Sequence, residues 1–159
     1  KKGFLVVIVT NAEAPRFLKN LTNCGINARH IDFTLASSHG HRHTIGDLAR
    51  LESSPRFLVS PSRKPEPKYL HLLTDELRKR DVLPEECVFF GDTMTDARTA
   101  LATRSYFGPI CYGSHSLNTS EWRRELREIK MSGEKTIGTP VSLADAYELV
   151  IDFNAQLPV

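Results

Sequence analysis

Two uninterrupted apolar runs, FLVVIV at 4–9 and CVFF at 87–90, constrain this chain more than any other feature. A strand that is apolar at every position, and not merely at every second one, has both faces covered, as in parallel sheets flanked by helices. Each run gives way to helical spacing. After the first, Phe17, Leu18 and Leu21 recur within a helix predicted over 14–24, and Gly25 stops it. A weaker strand is predicted over 31–36, and a helix over 67–80 with Leu70, Leu73 and Leu77 on one face and Arg and Lys at its end. The run ending at Phe90 is the third strand, 96–103 a helix, and 107–112 a fourth strand in which Gly108-Pro109 implies an edge or a bulge. Such alternation predicts an α/β fold, a parallel Rossmann-like sheet in a three-layer arrangement with crossover helices. The last third continues with a helix over 120–131, capped by Ser120, with Trp122, Leu126 and Ile129 in one stripe and Gly133 as stop. A closing helix runs from the capping-box pattern at 142–145 to Phe153.

At 159 residues the chain fits one domain, 1–159, able to bury a sizeable core. Its 40% apolar and 25% charged residues are ordinary for a globular protein. No apolar run approaches the roughly 20 residues that cross a bilayer, and the opening KKGFLVVIVT has no signal-peptide cleavage pattern. Cys24, Cys87 and Cys111 are isolated and odd in number, and read as buried thiols in a reducing intracellular compartment, cytoplasm or organelle matrix. A net charge of +2 argues no nucleic-acid partner by itself. Its distribution is uneven. An insertion at about 37–63, extended to Lys64, carries Arg42, Arg50, Arg56, Arg63 and Lys64 against Asp47 and Glu52. His39, His41 and His43 alternate within it, but no cysteine or further histidine follows at ligand spacing, so the stretch reads as a solvated basic loop and not as a zinc site.

Just past the second run stands GDTMTD, with Asp92 and Asp96 four residues apart. If a helix begins near Thr93, both carboxylates can face one point beyond a strand end, a place for a hard cation. The alternative is structural, with Asp92 as helix cap and Asp96 as a solvated acid in the first turn.

In their order, FLVVIVTN, RKPEPKYL and LPEECVFFGDTMTD, the segments resemble the haloacid dehalogenase-like (HAD) phosphatase superfamily over nearly the whole chain. The resemblance implies that Thr10 hydrogen-bonds a phosphoryl oxygen, assisted by the backbone N–H of Asn11 at the head of the next helix. It implies that Lys64 neutralises phosphoryl charge and that Asp92 ligates Mg²⁺, with Asp96 in support. Thr10, Lys64, Asp92 and Asp96 should then converge at the C-terminal ends of the strands. Phosphoryl transfer is mostly positioning and charge neutralisation, and these residue types suit it.

One part of the pattern is absent. The family's nucleophile and its general acid-base lie in an Asp-x-Asp-x-Thr motif on the central first strand, and no Asp-x-Asp occurs in these 159 residues. Asp32 in HIDFT, with Thr34, and Asp152 in LVIDFN are the nearest approximations. The expectation is a domain that lacks its central strand, so that the Thr10 and Asp92 strands flank a parallel strand supplied from upstream or by another chain. Two functions compete. One is a Mg²⁺-dependent phosphohydrolase of a phosphomonoester, inactive as this chain alone. The other is a non-catalytic HAD-like subunit of a larger assembly, RNA-containing and ribosome-like in one version, touching protein or RNA through the basic stretch from Arg42 to Lys64.

Overall fold

The first apolar run becomes a strand, although its ends and its surroundings differ from the sequence expectation. In the computed structural model, which describes residues 4–26, 30–38, 57–110, 119–128 and 148, β1 spans Val7–Glu13. The chain forms two compact units, Lys1–Leu73 and Thr74–Val159.

In the first unit, β1 pairs in parallel with β2 (Phe33–Ser37), Val7 opposite Phe33 and Val9 opposite Leu35. β3 (Phe57–Ser60) pairs in parallel on the other side of β2, giving the order β1-β2-β3. The predicted weak strand is thus the central one: every residue of β2 is buried, whereas Val7 to Thr10 of β1 are half-buried. The reason is position, because β2 has a neighbour on each side and β1 is an edge of the described sheet. Helix α1 (Ala14–Asn23) sets Phe17 against the core pair Ala36 and Phe57, on which Val59 also packs, with the Phe17 and Phe57 rings 6.4 Å apart.

Three expectations need correction here. Phe4 and Val6 precede the strand and are about half exposed (50% and 48%), so this run is not covered throughout. The Asp32 carboxylate accepts from the Val6 N–H at 2.7 Å while its own N–H donates to the Val6 carbonyl at 2.8 Å, which ties the start of β1 to β2 and engages Asp32 structurally. The strand does not stop with the apolar run at Val9 but continues through Thr10 and Asn11 to Glu13. The register shifts between Val9 and Glu13, and pairing resumes with Glu13 opposite Ser37, so the irregularity prolongs β1 where polar residues suggested a stop. Finally, β3 comes from the stretch read as a basic insertion, where its three apolar residues were too few to announce a strand.

The second unit contains the other apolar run. β4 (Val88–Gly91) pairs in parallel with β5 (Tyr106–Pro109), Phe90 opposite Gly108. Among the described strands β5 has a partner only in β4, as the edge reading expected, and Gly108 marks no bulge. A Cβ there would lie 2.5 Å from Cδ1 of Phe90, so the glycine makes room for that ring. Helix α2 (Pro67–Arg78) crosses from one unit to the other in sequence, with Tyr69, Leu73 and Leu77 buried. Its buried Glu76 is held by Arg80 and by Lys79 at 3.0 Å. Burial raises the affinity of Glu76 for a proton, but the two cations outweigh it and hold the carboxyl below its ordinary value. α3 (Met94–Thr103) follows β4, and α4 (Thr119–Glu128) takes in Ser120 as a helical residue and not as its cap. The predicted closing helix, the Ile129 end of the apolar stripe and the histidine-bearing loop lie outside the described residues, as does Cys111.

Cys24 is exposed, against the expectation of a buried thiol. Cys87 is half-buried, and burial, with Glu86 and Glu85 adding repulsion, pushes its thiol up to about 11. At pH 8 only about one Cys87 in a thousand is therefore thiolate, the reactive form. Peptide mass mapping after a brief iodoacetamide pulse is expected to find Cys24 alkylated well before Cys87, with Cys87 catching up only in denaturant.

Candidate functional site

Four side chains of the first unit meet where β1 ends. Thr10 lies near the end of the regular part of β1, and its Oγ1 accepts from the Ala12 N–H at 3.0 Å, a local turn of the kind threonine favours. The hydroxyl proton has no acceptor among the described residues. The Thr10 carbonyl is held separately: the Tyr69 hydroxyl, fully buried, bonds it at 2.9 Å and the Leu35 carbonyl at 2.7 Å. One phenol thereby shares a proton between two neighbouring strands. Tyr69→Phe should leave both carbonyls short of a partner and lower stability by about 1–3 kcal/mol, read as a lower denaturant midpoint with an unchanged slope.

Lys64 arrives at the same place from the loop after β3. Its ammonium donates to the Val9 carbonyl at 3.0 Å. Since Val6 faces β2, strand alternation turns Val9 the other way, so Lys64 covers a carbonyl on the outer edge of β1. The Lys64 backbone is gripped by Asn11. Lys64 N–H donates to Asn11 Oδ1 at 2.7 Å, and Asn11 Nδ2 donates to the Lys64 carbonyl at 3.4 Å. Asn11 is a strand residue and α1 begins only at Ala14, so the expected backbone N–H at a helix head is not found at this position. Buried Ser37, Ser60 and Ser62 close the adjoining strand ends through their own hydrogen bonds: Ser37 Oγ to the Ser62 carbonyl at 3.0 Å, and Ser62 N–H to Ser60 Oγ at 3.1 Å.

The carboxylates belong to the second unit. Helix α3 starts where the spacing predicted, but its cap is Thr93 and neither aspartate. Asp96 is buried (6% exposed), and its Oδ2 accepts from the Thr93 N–H at 3.2 Å and the Thr93 hydroxyl at 2.7 Å, while Thr93 Oγ1 accepts from the Asp96 N–H at 3.3 Å. That reciprocal box, with the side chain buried, replaces the reading of Asp96 as a solvated acid in the first turn. Gly91 permits it: a Cβ there would overlap Asp96 and come within 2.7 Å of its Oδ2. Asp92, half-buried just past β4, makes no side-chain hydrogen bond among the described residues. No group of three or more His, Cys, Asp or Glu able to hold a metal occurs among the described residues. Mg²⁺ needs no such group, since one or two carboxylates with several waters suffice, and Asp92 fits as the direct ligand. The structure thus brings together Thr10, Asn11 and Lys64 in one unit and places Asp92 and Asp96 in the other.

Sequence reasoning missed Tyr69, which its YL-x-LL context marks only as part of an apolar helix face. No protein-family model, curated protein or solved structure matches the chain. None of the described helices is long and apolar enough to cross a membrane.

Proposed function

We propose that the chain is the phosphoryl-binding body of a HAD-like phosphohydrolase acting on a phosphomonoester. The observation that carries this reading is the Lys64 ammonium anchored on the carbonyl of Val9, the residue before Thr10, on a parallel strand that has no strand on its outer side among the described residues. A cation fixed on a carbonyl and a hydroxyl with an unaccepted proton are suited to two oxygens of a phosphoryl group. A further parallel strand along the outer side of β1 would bring the attacking carboxylate next to them. Asp92, in the second unit, would be the direct ligand of Mg²⁺ when the ion is bound. Asp96 would act through Thr93, fixing the turn from which Asp92 projects.

The engagement of Asp96 in a helix-capping box favours the second reading, a non-catalytic subunit whose basic stretch from Arg42 to Lys64 meets an acidic protein or RNA. One titration separates the two. With inorganic phosphate followed by amide NMR, saturable shifts at Thr10, Asn11 and Lys64 are expected, and Mn²⁺ in place of Mg²⁺ should broaden Asp92 first. A chain that ignores both probes, and binds a short RNA duplex with steep salt dependence, belongs to the second reading.

A further inference from the structure

Asparagine in a loop usually bonds its own near neighbours, most often the backbone two residues on. Thr10 makes that local bond here, to Ala12. Asn11 instead reaches a residue 53 positions away and holds both polar groups of its backbone. The arrangement is a side-chain copy of strand pairing: an amide oxygen faces the Lys64 N–H and an amide nitrogen faces the Lys64 carbonyl. Few side chains can do this. Aspartate accepts but cannot donate, alanine does neither, and glutamine carries its amide one methylene further from the backbone.

The other end of Lys64 is fixed as well, by the Val9 carbonyl two residues before Asn11 on the same strand. Backbone and ammonium of one lysine are therefore tied to positions 11 and 9 of β1, on either side of Thr10. A flexible four-carbon stem loses reach when both its ends are held, and the ammonium becomes a placed charge where it would otherwise sweep a volume.

We infer that the Asn11 side chain is a positioning residue, which holds the Lys64 ammonium at the Val9 carbonyl, next to Thr10 along β1, by gripping the Lys64 backbone, and that it does not itself contact the anion. This rests on the phosphoryl-binding reading of the same site and refines it. It also moves Asn11 from the group that touches phosphate to the group that orders the residue that does.

The test uses the full chain with Asn11→Ala and Asn11→Asp. Lys64 is followed by reductive methylation and peptide mapping, with exposed Lys68 and Lys79 as internal standards, and inorganic phosphate affinity is measured in parallel. In Asn11→Ala, Lys64 should be methylated severalfold faster relative to Lys68, and phosphate should bind about tenfold more weakly, the size expected when a charge-bearing group loses its hydrogen-bonded support. Asn11→Asp keeps the shape and the acceptor for the Lys64 N–H, so it folds even if the alanine variant does not, and should fall between. A Lys64 methylation ratio unchanged in the folded variants, with only the melting temperature reduced, overturns the inference. If the wild-type chain binds no phosphate, the phosphoryl reading fails on that result, and the methylation ratio still decides whether Asn11 positions Lys64.

Discussion

Incubated with p-nitrophenyl phosphate and Mg²⁺, the 159-residue chain is expected to release phosphate no faster than buffer. The groups gathered at the end of β1 are electrostatic: a lysine ammonium and a threonine hydroxyl. They can lower the energy of a charged transition state but offer phosphorus no attacking atom. The sequence has no Asp-x-Asp to provide one. Loss of a nucleophile can lower kcat by about 10⁶, far beyond the effect of losing one binding contact, so the expected signal is background and not a weak activity. A molybdate assay over a day has the sensitivity to tell the difference. Turnover abolished by Asp152→Asn would instead reinstate the LVIDFN segment as a permuted nucleophile motif. Turnover abolished by Lys64→Gln but indifferent to Asp152 would mean that water attacks directly.

The second large effect concerns Gly91. Its Cα lies against the Asp96 side chain, and a methyl group at position 91 would occupy the volume of the Asp96 Cβ and Cγ. Asp96 cannot turn away cheaply, because three hydrogen bonds shared with Thr93 hold it and it is buried. Gly91→Ala should therefore combine an overpacking cost of about 1–3 kcal/mol with the loss of a helix cap worth about 1 kcal/mol. A fall of roughly 2–4 kcal/mol in unfolding free energy is expected from denaturant titration. The double-mutant cycle gives the sharper result. In an Asp96→Gly background the obstructing atoms are gone, and Gly91→Ala should cost little. If the two costs simply add, the close approach of Gly91 and Asp96 is not what makes position 91 a glycine. Loss of the Mn²⁺ effect at Asp92 in Gly91→Ala would further show that the turn held by Asp96 places Asp92.

How much of this was legible in the residues depended on whether the signal was local. FLVVIV and CVFF announced parallel strands because continuous apolarity needs no partner to be recognised. The start of α3 was readable only in part, since a helix from near Thr93 was expected with Asp92 as its cap, whereas Thr93 and Asp96 form the capping box. The end of β1 was not, because its continuation through Asn11 to Glu13 depends on a register shift against β2, a fact about pairing and not about polarity. β3 was lost inside a basic stretch for the same reason: Phe57, Leu58 and Val59 are strand residues because β2 lies beside them. At the candidate site the residue types Thr10 and Lys64 stood out by motif order. The roles of Asn11 and Tyr69 did not, because each acts on residues tens of positions away.

The grip of Asn11 on Lys64 has a consequence for inheritance. Both of its hydrogen bonds end on main-chain atoms of residue 64, which every amino acid except proline would present equally well. These two contacts would survive a change of side chain there. On the proposed phosphoryl-binding reading, position 11 holds the loop and position 64 carries the charge, and the two could drift independently. A lineage could exchange the lysine for a neutral residue and keep the loop, the buried Tyr69 anchor and the sheet. Retired and working copies of such a domain would then share a backbone and differ at one side chain.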